Sequence, residues 1–182
     1  MAFSLFSYFF KRVVENMAAS FKDRYRRNKE TLEWYDALAM AVAVIAIVFT
    51  FFVRIVKVDG HSMDPTLSNG ERILINLLKK PDYDDIVVVD GYTEYGRPLV
   101  KRVIGKGGDK LEFKNGHVYR NGNELDESYI HEPMEFSMDG SYTVPEGMVF
   151  VMGDNRNHSS DSRFIGPVPV DHVLGRVVFQ FG

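Results

Sequence analysis

From Ala37 to Val53 the chain reads Ala-Leu-Ala-Met-Ala-Val-Ala-Val-Ile-Ala-Ile-Val-Phe-Thr-Phe-Phe-Val, a run without a single charge. As a helix it spans about 26 Å, the lower limit for crossing a bilayer. Trp34, Tyr35, Ile55 and Val56 lengthen it, and Trp34 and Tyr35 stand where an interfacial aromatic belt belongs. A core helix would carry a polar stripe, and this run has none. The pattern predicts a transmembrane helix over residues 36–56. No small-x-small cleavage signal closes the run, so it reads as a permanent anchor.

Orientation follows from charge. Lys22, Arg24, Arg26, Arg27 and Lys29 precede the span, whereas only Arg54 and Lys57 follow it closely. The positive-inside rule places residues 1–35 in the cytoplasm and residues 57–182 on the outer, extracytoplasmic face of a single-pass cell-membrane protein. Within the cytoplasmic segment, Phe3, Phe6, Phe10, Val13 and Met17 recur at helical spacing ahead of the basic run, which fits either an amphipathic helix on an anionic lipid surface or a tail of little order.

The full 182 residues suit one domain plus this appendage, and 45% apolar content is enough for a packed core. A formal net charge of -3 gives no support for nucleic-acid binding. Having no cysteine, the chain has no disulfide, thiolate nucleophile or cysteine-ligated metal.

Beyond residue 57 the pattern is mainly β. Ile73–Leu78, Ile86–Val89, Leu99–Ile104, Met148–Met152 and Val173–Phe181 are short apolar runs bounded by Gly, Pro or Asp. Leu111–Phe113 and His117–Tyr119 flank Asn115-Gly116, a strong hairpin signal, and Asn121-Gly122 follows at once. The expectation is a coiled antiparallel or barrel-like sheet domain with few helices and an irregular polar excursion over 126–140.

Ser62 stands in Gly60-His61-Ser62-Met63-Asp64-Pro65-Thr66-Leu67, within about 30 Å of extended chain from the apolar run. A serine is a poor nucleophile without a base and an anion-stabilising site beside it. His61, His117, His131 and His172 have no metal-ligand spacing and read as surface or structural residues. His158 lies in a polar loop with Asp154 and Asp161, so spacing alone permits a Ser62–His158–Asp triad. Lys101 is the other candidate base. It lies in Leu99-Val100-Lys101-Arg102-Val103-Ile104, where alternation makes both faces otherwise apolar. Burial would lower its pKa and supply a neutral amine able to take a serine proton. On the strand pattern alone, a lysine with a solvated tip is the simpler explanation.

A third cluster, Gly153-Asp154-Asn155-Arg156-Asn157-His158-Ser159-Ser160-Asp161-Ser162-Arg163, sits between an apolar strand and Phe164-Ile165-Gly166-Pro167. Loops held between buried elements often carry function.

Gly60–Leu67, Val100-Lys101-Arg102-Val103-Ile104-Gly105 and Gly153–Arg163, in this order and with Asp85-Ile86-Val87-Val88-Val89 between the first two, resemble the signature boxes of type I signal peptidases. The single preceding span resembles the Gram-positive bacterial branch. The resemblance covers the chain from the anchor to the C-terminus. It implies a serine endopeptidase with a Ser/Lys dyad that removes signal peptides from exported preproteins at the membrane surface, without metal or other cofactor. By position it implies Ser62 as nucleophile, Lys101 as general base and Ser159 as hydrogen-bond partner of the lysine amine. Asp161 and Arg163 fall on a structural ion pair, and Arg102 on the arginine beside the base. The oxyanion region falls at Gly60 and Ser62; some branches have a serine at the position of Gly60, whose hydroxyl is a second donor. A proline common in the family is replaced by Gly107, which is expected to loosen that turn. Three other functions fit parts of the pattern: a self-cleaving Ser/Lys repressor, a conventional Ser-His-Asp hydrolase, and an inert anchored β module that binds a partner.

Overall fold

The computed structural model describes residues 2–90, 96–135 and 140–181. The chain forms two units, Met1–Val48 and Phe49–Gly182. The first belongs to a 50-residue helix, α1 (Ala2–Phe51). Within α1, Asn28–Thr50 has a mean hydropathy of 1.9 and is long and apolar enough to cross a membrane. Leu38, Met40, Ile45 and Ile47 are all more than half exposed. The side chains of Phe3, Phe6, Phe10, Val13 and Met17, on which the amphipathic reading rests, lie outside those described.

The helix stops short of the expected boundary at residue 56. Val53–Lys57 is a strand, β1, paired in antiparallel register with β2 (Arg72–Asn76), so that Ile55 faces Leu74 and Val56 faces Ile73. Val53, Ile55 and Val56 are β-branched and have lower helix than strand preference once a partner strand is present. Hydropathy alone did not separate them from the preceding helix.

The second unit is built on two antiparallel sheets. The larger has seven strands in the order β1-β2-β11-β3-β4-β9-β10, with β3 at Ile86–Val89, β4 at Leu99–Lys106, β9 at Met148–Met152, β10 at Val168–Pro169 and β11 at Val173–Phe181. The smaller runs β7-β6-β5-β8, with β5 at Lys110–Lys114, β6 at His117–Arg120, β7 at Asn123–Glu124 and β8 at Gly140–Thr143. Both Asn-Gly pairs form two-residue turns with positive φ at each residue, as the hairpin signal predicts. Breaks of register at Val103/Gly105, Val173/Gly175 and Val177/Phe179 curl the large sheet. Of the expected excursion, residues 136–139 lie outside the described chain.

Three clusters fill the interior. Ile104, Leu111, Phe113, Val118, Phe150 and Met152 lie among the strands of both sheets. Val87, Val89, Val103, Val149, Val151 and Val168 form a second cluster. Val58, Met63, Leu67, Ile73, Ile75 and Val88 form the third, which holds down the segment bearing Ser62. The turn after β4 is tight rather than loosened. A Cβ on Gly107 would lie 2.9 Å from the Glu146 Cα, and Lys106, Gly108 and Asp109 are all hydrogen-bonded there.

Candidate active site

Ser62 is presented by an irregular turn between β1 and β2. Val58 before it and Met63 and Leu67 after it are almost fully buried, which fixes the turn from both sides. The Leu67 N–H donates to the Met63 carbonyl at 3.0 Å. Gly60 has φ of +102°, a conformation that L residues with a side chain rarely adopt. Its N–H donates to Asn69 Oδ1 at 3.0 Å. Of the two residues expected in the oxyanion region, Gly60 therefore has its backbone donor engaged elsewhere. The Ser62 N–H donates to no protein group among the described residues.

Lys101 comes from β4, an interior strand flanked by β3 and β9. Residues 101–105 are buried in succession, so both faces of the strand are covered. Lys101 is only 2% exposed, which rules out a solvated tip. Its Nζ lies 2.7 Å from Ser62 Oγ and donates to the Val100 carbonyl at 3.0 Å.

Burial lowers the Lys101 pKa from 10.5 to about 8. Asp161 and Asp154 oppose that shift, and Arg163 adds to it. The carboxylates do not overcome desolvation because each is already paired with an arginine. Asp154, fully buried, accepts from Arg102 Nε at 2.8 Å and Nη2 at 2.6 Å. Asp161, also fully buried, accepts from Arg163 Nε and Nη2, both at 2.8 Å.

These pairs build the loop that closes the site. Asp161 caps the short helix α2 (Ser162–Ile165) and accepts the Gly153 N–H at 2.9 Å. Arg163 Nη2 donates to the Arg156 carbonyl at 2.7 Å. Arg102 Nη1 donates to the Asp84 carbonyl at 2.8 Å, and its guanidinium lies 4.0 Å from the Tyr129 ring centroid. The Asn155 N–H donates to the Ser62 carbonyl at 3.1 Å, and its Nδ2 donates to the His61 carbonyl at 3.0 Å. Gly153 is the point of closest approach: a Cβ there would fall 2.4 Å from the Ser62 carbonyl oxygen and 2.2 Å from Ser159 Oγ.

Ser159 differs from the expectation. Its Oγ is buried and has no hydrogen-bond partner among the described residues, whereas Lys101 Nζ is hydrogen-bonded to Ser62 Oγ and to its own neighbour's carbonyl. The local carbonyl is one residue away from the amine and needs no loop to deliver it. His158 is exposed and has no side-chain hydrogen bond among the described residues. The aspartates that a histidine triad needs, Asp154 and Asp161, are committed to arginines. His61 pairs with Asp64, His117 with Glu124 and His172 with Asp90.

Sequence reasoning missed Asn155, Asn69 and the role of Asp154 as the partner of Arg102. Asn155 carried a faint signal, standing two residues after the Gly153 that the loop needs for close approach. Ser62 and Lys101 share a cleft of about 390 Å³ whose apolar wall includes Val56, Val58, Met63, Leu99 and Val100. The arrangement offers a hydroxyl, an adjacent amine of lowered basicity and a backbone N–H, in a cleft sized for a peptide segment.

A family model described as signal peptidase, peptidase S26, matches residues 31–181. The chain is 36% identical over 173 residues to signal peptidase IB of Staphylococcus aureus (strain Mu50), covering 84% of this chain and 90% of that one. It is 38% identical over 157 residues to the probable signal peptidase I-1 of Synechocystis sp., covering 79% of each. Among solved structures, a signal peptidase I from Enterococcus faecalis V583 is 32% identical, with a TM-score of 0.47, covering 55% of this chain and 98% of that one.

Proposed function

The chain belongs to the signal peptidase family, peptidase S26, and from that membership we propose that it is a membrane-anchored serine endopeptidase that removes signal peptides from exported preproteins, with Ser62 as nucleophile and Lys101 as general base. The observation that carries this reading is the 2.7 Å approach of Lys101 Nζ to Ser62 Oγ by a lysine that is 2% exposed.

With its pKa at about 8, roughly a tenth of Lys101 is the neutral amine at pH 7 and half at pH 8. The neutral amine accepts the Ser62 proton as Oγ attacks the scissile carbonyl carbon. The Ser62 N–H is the donor for the developing oxyanion. The ammonium then returns the proton to the departing amine, which leaves as the new N-terminus and an ester on Ser62. Lys101 next takes a proton from water. The resulting hydroxide attacks the ester, the Lys101 ammonium gives its proton to the departing Ser62 Oγ, and the released signal peptide loses its carboxyl proton to solvent, which restores the neutral amine and the serine hydroxyl. Arg102, Asp154, Asp161 and Arg163 act behind the dyad, positioning β4 and the 153–163 loop.

The apolar part of α1 is the anchor, with residues 1–35 cytoplasmic and the β unit extracytoplasmic, as the basic flank requires. The signal peptide itself lies in the bilayer, so its cleavage site emerges beside an enzyme tethered there. The apolar wall formed by Val56, Val58, Met63 and Leu99 suits small side chains such as alanine at the first and third positions before the cut.

Cleavage of a preprotein by the full-length protein in detergent or liposomes tests the proposal. The wild type is expected to release the mature protein, and Ser62→Ala and Lys101→Arg to release none. Arginine does not deprotonate in proteins, so wild-type activity in Lys101→Arg would eliminate the lysine base, and activity in Ser62→Ala would eliminate the nucleophile.

A further inference from the structure

A polypeptide attacked at Ser62 extends to both sides of the scissile bond. The cleft holding Ser62 accounts for one side. A second groove, of about 620 Å³, lies next to it, and the two share His158 and Ser160 in their walls. Phe164 and Glu135 also line it.

Phe164 is 71% exposed, with the Arg163 guanidinium 5.7 Å from its ring centroid. A large aromatic held open at the rim of a groove is a ready contact surface for an apolar side chain. Glu135 supplies charge. Its exposed carboxylate has no ion pair and no hydrogen bond among the described residues, where only its backbone N–H is engaged. The two guanidiniums in the groove wall are neutralised, Arg156 by Glu127 at 2.6 Å and Arg163 by Asp161. The uncompensated fixed charge on this groove is therefore negative.

The groove is also preorganised. Asn157 Oδ1 accepts the Glu135 N–H at 2.9 Å, while its Nδ2 donates to Glu132 Oε1 at 3.0 Å and to the Pro133 carbonyl at 3.2 Å. One amide thus fastens the 132–135 segment to the loop that carries His158. A groove whose sides are tied together presents its contacts without a large ordering cost on binding.

We propose that this second groove binds the substrate residues that follow the scissile bond, the first residues of the mature protein. Apolar side chains pack on Phe164, and Glu135 favours basic over acidic side chains. The inference rests on the peptidase reading above and extends it to a specificity that the dyad does not determine.

The test uses the full-length protein in detergent and a set of peptides with one common sequence before the cut. After the cut, the second to fourth positions carry lysine, leucine, alanine or glutamate. The wild type is expected to show a lysine-over-glutamate preference in kcat/KM of about two- to fivefold, the range of an exposed charge pair. Glu135→Lys is expected to reverse that preference. Phe164→Ser is expected to raise KM for peptides with an apolar residue in this region, with kcat kept. In a second peptide set, varied only at the first and third positions before the cut, both variants are expected to discriminate as the wild type does. Both residues are exposed, so folding is not at stake, and an unchanged thermal midpoint verifies that. Equal kcat/KM for the whole set in wild type and both variants would overturn the groove assignment while leaving the peptidase intact. No cleavage of any peptide or preprotein by the wild type would overturn the peptidase reading, and this inference with it.

Discussion

Lys101 Nζ and Ser62 Oγ stand 2.7 Å apart, although 39 positions separate the two residues in sequence. The contact joins an interior strand to an irregular turn, and the turn is held by Val58, Met63 and Leu67 rather than by regular hydrogen bonding alone. A short contact of this kind transfers a proton only if the amine loses its own readily, and burial of Lys101 supplies that condition.

Burial of Lys101 also has a stability cost whose sign depends on pH. Its folded pKa, about 8, lies below the ordinary 10.5. Below pH 8 the lysine is charged in both states, and the folded protein carries the full desolvation cost. Between pH 8 and 10.5 the folded lysine is neutral while the unfolded one still binds a proton, so stability rises with pH. Lys101→Met removes the cost. It is expected to stabilise the protein by up to about 3 kcal/mol below pH 8, seen as a higher thermal midpoint in detergent at pH 6.5. The gain should vanish near pH 10.5. A variant less stable than the wild type at pH 6.5 would count against a costly buried lysine.

The Arg102–Asp154 pair is buried on both sides, at 8% and 0% exposure. Asp154→Ala leaves an uncompensated guanidinium and is expected to cost about 3–5 kcal/mol in chemical denaturation. Replacing both residues, as in Arg102→Met with Asp154→Leu, should recover most of that loss. Equal instability in the single and double variants would mean that packing, not charge, sets the effect.

Gly153→Ala is expected to lower kcat by about two orders of magnitude, the cost of displacing a reacting group by about 1 Å. The added methyl meets the Ser62 carbonyl oxygen, a backbone atom that cannot swing aside. Measured preprotein cleavage at the wild-type rate would show that the turn carrying Ser62 tolerates the shift.

Much of this was legible in the residues. The two Asn-Gly pairs gave the hairpins because only certain residues adopt φ above zero cheaply. The strand runs gave the sheets, and the ordered motifs singled out Ser62 and Lys101. Three features were not legible, each for a physical reason. Val53–Lys57 is apolar enough to pass for the end of a membrane helix, and only its pairing with β2 distinguishes it. Alternation along β4 could not decide between a buried and a solvated Lys101, because cover on both faces is a property of the neighbouring strands and loop. Asn155 makes its bonds to carbonyls 93 and 94 positions away, and local sequence carries no trace of such contacts.

The central claim is that a lysine, not a histidine, takes the Ser62 proton. The pH dependence of kcat/KM for preprotein cleavage by the full-length protein, compared with that of His158→Ala, tests it most directly. A rate that rises with pH through a midpoint near 8, unchanged in His158→Ala, is the predicted result. A midpoint near 6.5, the ordinary histidine value, lost together with activity in a folded His158→Ala variant, would contradict it.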